Sequence, residues 1–250
     1  MRKTVLCLML CLCCLPTLVR AGDAPKDELT DPVKILTKTD AACKAVRAVR
    51  YDVTVEILGE KEPKAGKYEA TVTMAGYVQG RAEKFAVDAT ATGPDSKEPR
   101  RISGGSDGDK YYVIDHQAKK AYEDMDVQVL GSFGSTLAVN LMIEFVAEKP
   151  FTDEINGQSQ ELKGSKAIGG EDCYVIRVVY ADSRAPAATW LISKKDFLPR
   201  GRIDEFTTQD GQELRQAKLL SKLVVDPKLE KDTFALKLPE GYTKTDDFAP

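Results

Sequence analysis

The chain has 250 residues, 42% of them hydrophobic and 30% charged, with a formal net charge of −3. Acidic and basic residues are interspersed without a basic block, which excludes the electrostatic footprint of a nucleic-acid binder and a polybasic membrane-surface patch. One histidine and two cysteines beyond the leader are too few for an ordinary zinc or iron site, so no metal and no cofactor is expected.

Arg2 and Lys3 precede an apolar run from Val5 to Val19, and Val19-Arg20-Ala21 has the A-x-A-like form of a cleavage site. This predicts a secretory signal peptide over residues 1–21, cleaved after Ala21, and a periplasmic or secreted protein. The run is shorter than the roughly 18 to 20 residues that span a bilayer, so no permanent membrane anchor is expected. Cys7, Cys11, Cys13 and Cys14 each follow a bulky residue or another cysteine, which argues against acylation there. Cleavage removes Arg2, Lys3 and Arg20 and takes the net charge from −3 to −6. Cys43 and Cys173 remain; in an oxidising compartment they read as a disulfide, with two small buried hydrophobes as the alternative.

Residues 22–30 are polar and read as a disordered lead-in. Asp31 and Pro32 then offer an N-cap and a first helical position, and Ile35, Thr39, Ala42, Val46 and Val49 continue on one helical face to about Val49. From Arg50 the period becomes two: Tyr51, Val53, Val55 and Ile57 alternate with Asp52, Thr54 and Glu56, a strand with one wet face. Further strands are predicted near 67–77, 83–92, 100–104, 110–116, 173–180, 188–193, 200–207, 214–225 and 234–238, an antiparallel meander. Residues 127–151 break this rhythm, with Leu137, Leu141 and Phe145 at four-residue spacing predicting a helix or two. No internal repeat or long linker divides the chain, so one α+β domain is expected over 31–245, followed by a loose tail at 246–250.

Catalytic signals are thin. Gly104-Gly105-Ser106-Asp107-Gly108 matches G-x-S-x-G, and His116 follows ten residues later, giving a remote serine-hydrolase reading on Ser106 and His116. A nucleophile elbow joins a strand to a helix, however, whereas these residues lie between two strands, where Asp-Gly is a hairpin signal. Asp107 and Asp109 lack the further ligands of a calcium loop, and neither a C-x-x-C pair nor a phosphate-binding glycine loop occurs. No catalytic residue is expected, and no enzyme. The strands around Tyr112, Ile114, Tyr174, Ile176, Trp190 and Ile192 carry apolar faces that suit either a core or the wall of a cavity.

The run Ser106-Asp107-Gly108-Asp109-Lys110-Tyr111-Tyr112-Val113-Ile114-Asp115, continuing to Lys119-Lys120-Ala121-Tyr122, resembles the hairpin of the LolA-like periplasmic lipoprotein carrier superfamily. The stretch from Ala188 through Trp190 to Pro199-Arg200 is similar to that family's strand-turn-strand. Asp226 to Phe234 and Pro239-Glu240-Gly241-Tyr242 resemble its closing segment. The resemblance covers roughly residues 31 to 243, departs from it in a long central insertion from Gly131 to Gly170 and in the cysteine pair, and carries over no cargo-binding arginine. It implies a strongly curved antiparallel sheet, a half-open β-barrel, with helices covering its concave face and a cavity for acyl chains between them. The implied function is a monomeric, non-enzymatic carrier or chaperone for a lipid, an acyl chain or a lipoprotein. A sensor or scaffold module of the same fold, binding an envelope protein, is the alternative. Tyr112, Ile114, Leu137, Leu141, Phe145, Tyr174, Ile176, Trp190 and Ile192 are the cavity residues expected from this pattern, with the segment at Leu137, Leu141 and Phe145 as a lid. Removing acyl chains from water yields about 0.8 kcal/mol per methylene, so an apolar groove suffices for such a task without catalytic groups.

Overall fold

The computed structural model describes residues 29–59, 66–78, 81–93, 98–182, 185–207 and 211–245. The expected signal peptide at 1–21, most of the expected lead-in at 22–30 and the tail at 246–250 lie outside the described residues. Helix α1 (Pro32–Lys44) begins as expected: Asp31 Oδ1 accepts from the N–H groups of Val33 and Lys34 at 2.9 and 3.2 Å, and Pro32 fills the first turn. It stops short of Val49. Ala48 already pairs with Ala75 and Val49 with Met74, so these residues are buried as part of a strand instead.

Strands β1 (Ala48–Gly59), β2 (Gly66–Val78), β3 (Arg81–Thr92), β4 (Arg100–Ser106), β5 (Tyr111–Asp115) and β6 (Lys120–Asp124) form an antiparallel meander. After a helical segment come β7 (Ser159–Ile168), β8 (Glu171–Val179), β9 (Ala187–Ser193), β10 (Pro199–Thr207), β11 (Glu213–Val225) and the two-residue β12 (Thr243–Lys244). All belong to one sheet in the order β12-β6-β5-β4-β3-β2-β1-β11-β10-β9-β8-β7, antiparallel except for β12 beside β6. The first strand therefore sits next to the eleventh at the centre, with Thr54 opposite Leu219. The two edges do not meet. The result is a strongly curved half-open barrel of the α+β class, with its helical segments on the concave face. Among the described residues no helix is long and apolar enough to cross a membrane.

The Asp-Gly turn is a hairpin between β4 and β5: Asp107 Oδ1 accepts from the N–H groups of Asp109 and Lys110, and Gly108 supplies a φ of 104°. Three strands were not predicted as such: β6, whose Lys120–Tyr122 entered only through the family resemblance, β7 and β12. β7 lies within the stretch taken for an insertion; it is a polar edge strand, with a bulge at Leu162/Gly164 and Gly164 at φ 110°. Phe234–Leu238, expected as a strand, leaves a turn at Phe234 and runs on without regular structure, and only Thr243 and Lys244 further on join the sheet. The region 127–155 is not one or two regular helices either. It is a 3-10 turn (Val127–Phe133), α2 (Gly134–Ala138), a second 3-10 turn (Ile143–Phe145) and α3 (Thr152–Ile155). Gly131, at φ 46° and ψ −134°, breaks the path before α2, and α2 itself ends at Ala138, so Leu137 lies on α2, Leu141 in the connecting chain and Phe145 in the second 3-10 turn rather than on one helical face.

One continuous core lies between the concave face and these helical pieces. Tyr51, Val53, Val55, Val72, Met74, Val87, Val113, Ile176, Trp190 and Ile192 come from the sheet, and Ile35, Leu36, Leu137, Met142, Phe145 and Phe151 from above it. Phe151 and Trp190, both fully buried, pack with ring centroids 4.7 Å apart. A second, small cluster lies on the opposite face, where Leu236 and Tyr242 from the C-terminal segment cover Tyr112, Ile114 and Ala121.

Candidate ligand site on the concave face

The structure divides the expected cavity residues between the two faces of the sheet. Leu137, Phe145, Tyr174, Ile176, Trp190 and Ile192 share the concave core, with Leu141 half-buried against it. Tyr112 and Ile114 face the other way, because Tyr111 and Val113 are the inward residues of β5. The expected disulfide is absent: both thiols are free and buried. Cys43 packs into the concave core from α1, whereas Cys173 precedes the inward-facing Tyr174 on β8 and therefore lies on the other side, its Sγ 3.6 Å from the Glu171 carbonyl. Burial raises the pKa of both, Cys173 to about 11.

Ser106 and His116 are not brought together either. Ser106 is buried and its Oγ accepts from Gly108 N–H at 3.2 Å, while His116 Nε2 stands 2.8 Å from Ser103 Oγ. Ser103 Oγ donates to Asp88 Oδ1 at 3.0 Å, and Arg101 holds both oxygens of that carboxylate. His116 Nδ1 lies 3.0 Å from the Tyr242 hydroxyl. The tautomer that satisfies every group runs Tyr242 O–H to Nδ1, Nε2–H to Ser103, and Ser103 O–H to Asp88, so the serine's proton is directed to the carboxylate and not to the imidazole. Burial and the nearby Arg101 guanidinium lower the His116 pKa. This chain of groups joins β3, β4 and the end of β5 to the C-terminal segment. Beside it lie two open grooves on the outer face, of about 420 and 540 Å³, which share Thr71, Asp88 and Arg101. Their charges are paired: Arg101 with Asp88 at 2.7 Å and Lys222 with Asp52 at 2.8 Å. Among the described residues no group of three or more His, Cys, Asp or Glu is placed to hold a metal ion.

The concave side holds what pattern reading missed. The segment from Asn140 to Phe145 is joined to the sheet by side chains rising from three strands. Tyr51 on β1 donates its hydroxyl to the Asn140 carbonyl at 3.1 Å and accepts from Met142 N–H at 2.8 Å. Lys218 on β11 donates Nζ to the Leu141 carbonyl. Arg202 on β10 reaches Glu144 Oε1 at 3.3 Å and Asp204 Oδ1 at 2.7 Å, and lies over the Trp190 ring, 5.0 Å from its centroid. Burial opposes the charge of Arg202, but Tyr180, Asp204 and Glu144 outweigh it and hold the guanidinium firmly protonated. Burial lowers the pKa of Lys218, with Glu144 acting in the opposite direction. Nearby, Glu154 is 5% exposed and accepts from the Tyr180 hydroxyl at 2.8 Å; burial pushes its carboxyl up to about 7.

No family model matches the chain, and a search of curated proteins finds no match. Solved structures of similar shape do exist. MucB matches at 12% identity and a TM-score of 0.48, over 84% of this chain. That match spans 64% of MucB, less than two thirds of its length. LprF from Mycobacterium bovis matches at 11% identity and a TM-score of 0.45, over 85% of this chain and 97% of LprF. The LolA superfamily protein NE2245 from Nitrosomonas europaea matches at 15% identity and a TM-score of 0.36, over 84% of this chain and 99% of that one. Identities of 11 to 15% and TM-scores of 0.36 to 0.48 mark these as distant resemblances.

Proposed function

We propose that this chain is an exported, non-enzymatic binding module that takes up an acyl chain or a similar apolar ligand on the concave face, in exchange for the segment 140–146. The observation that carries this reading is how that segment is held. Its apolar side chains Met142 and Phe145 fill the sheet's concavity, yet its backbone is tied down by Tyr51 and Lys218, and Glu144 by Arg202, rather than by a long helix of its own. An α-helix as short as the five residues of α2 is marginal by itself, so the order of this region depends on its contacts with the sheet. Lifting it would uncover Tyr51, against which Phe145 packs, and open a way into the apolar core shared by Ile176 and Trp190, the kind of surface an acyl chain requires.

In the conformation described, side chains occupy that space, which favours a second reading: a filled module that binds an envelope protein partner. The two readings separate in one experiment. Protein purified without detergent is extracted for lipid and titrated with a fluorescent fatty acid, alongside Leu141→Asp. Stoichiometric binding that Leu141→Asp weakens more than it lowers stability supports the carrier. No extracted lipid and no probe binding leave the partner-binding module as the better account.

A further inference from the structure

The register of the sheet brings two cations together where a core would not place them. Along one row on the concave face stand Leu162, Ile176, Trp190, Arg202, Lys218, Val55 and Tyr68, each directly opposite the next. The row is apolar at both ends and carries Arg202 against Lys218 at its centre. Like charges directly opposite on one face are destabilising, and burial adds to the cost. The pair is held by partners outside the row: Glu144 and the Leu141 carbonyl on the covering segment, and Asp204 on β10. The groups that face it are Asp204 on β10, Glu144 on the covering segment, and Glu154 on α3, which is hydrogen-bonded to Tyr180. Asp204 is fixed to the same strand as Arg202. Glu144 is not: it belongs to the segment that must leave when a ligand enters. Removing that segment takes a carboxylate from Arg202 and a carbonyl oxygen from Lys218 at once. Asp204 and Glu154 are then the acidic groups left facing two cations.

Resting on the function proposed above, we infer that the ligand is an anionic amphiphile, whose carboxylate or phosphate head takes the place of Glu144 between Arg202 and Lys218 while its chain runs along the neighbouring apolar wall. The covering segment imitates such a molecule: Met142 and Phe145 supply the apolar part, and Glu144 the head. Arginine is suited to this exchange because its planar fork receives a carboxylate or a phosphate equally well, and the Trp190 ring beneath fixes its orientation.

The experiment compares two dodecanoyl compounds of equal chain length, dodecanoate and neutral monododecanoylglycerol, by displacement of a fluorescent apolar probe from the full chain at pH 8. Dodecanoate is expected to bind about tenfold more tightly, an advantage that Arg202→Gln reduces to about twofold. Should Arg202→Gln fail to fold, Lys218→Gln removes the other cation and is expected to cut the roughly tenfold advantage to a few-fold, whereas Glu144→Gln loosens the covering segment and should strengthen both compounds alike. Dodecyl phosphate in the same assay distinguishes a phosphate head from a carboxylate. Equal affinity for dodecanoate and the ester would overturn the inference and leave the carrier reading standing, whereas failure of both compounds to bind would remove the carrier reading itself.

Discussion

Replacing Tyr51 with phenylalanine removes one oxygen atom and leaves the ring, fully enclosed and 5.9 Å from that of Phe145, in place. That oxygen serves both the Asn140 carbonyl and the Met142 N–H. A buried polar group left unpaired costs about 1–3 kcal/mol, so losing two partners together should cost about 2–4 kcal/mol. The loss need not fall on the whole molecule. If segment 140–146 opens while the sheet stays folded, the cost is concentrated in that opening step. Amide exchange followed by mass spectrometry or NMR reads it directly: the Met142 amide should exchange about 30- to 800-fold faster in Tyr51→Phe, since each 1.4 kcal/mol is a factor of ten. Peptides from β1, β2 and β11 should change far less. Exchange at 140–145 within about threefold of the parent, at an unchanged urea midpoint, would refute the argument that this hydroxyl latches the segment.

Two further outcomes follow from the core and its ionisable groups. Phe151→Ala should lower the free energy of unfolding by about 3–5 kcal/mol in urea titration, because the ring is fully buried against Trp190; a loss under about 2 kcal/mol would mean that the concavity is loosely filled. Glu154 should make stability fall as pH rises. Its carboxyl titrates near 7 in the fold and near 4.5 when unfolded, so between these values the native state binds more protons, and the stability present at pH 4.5 declines through pH 7 by up to about 3 kcal/mol. Urea unfolding at pH 5 and pH 8 should show this slope in the parent and lose it in Glu154→Gln; equal slopes in both would show that another group is responsible.

The sheet was largely legible because alternation is a local property. Tyr51, Val53 and Val55, or Ala70, Val72 and Met74, announce a strand with one buried face whatever lies opposite. β7 escaped because it is an edge strand whose Ser159-Gln160-Glu161-Leu162-Lys163 has one apolar residue to mark a face, and β12 because two residues have no period. β5 read correctly as a strand but not as to its inward side. Covered by the concave core on one face and by Leu236 and Tyr242 on the other, it is apolar throughout, and Tyr111 cannot be told from Tyr112 by pattern. The central segment misled for a different reason: four-residue spacing at Leu137, Leu141 and Phe145 signals a helix, but separate pieces laid over a curved surface bury Leu137 and Phe145 and half-bury Leu141. Arg202 and Lys218 carry no signal when read one at a time. They acquire meaning only from the pairing of β10 with β11, and that register is set by the whole sheet.

The place of β11 beside β1 bears on how the chain is made. Synthesis proceeds from the N-terminus, so β1 and β2 can form a hairpin early, while the other edge of β1 waits for a partner about 170 residues further along. Until residue 225 has emerged, that edge presents unpaired N–H and C=O groups beside Tyr51, Val53 and Val55, an invitation to pair with another chain. Closing so long a loop is slow, and the centre of the sheet is sealed only once β11 arrives. For an exported chain, the rate of emergence into the folding compartment, and any holdase there that shields the β1 edge, should therefore govern yield more than the stability of the finished molecule does.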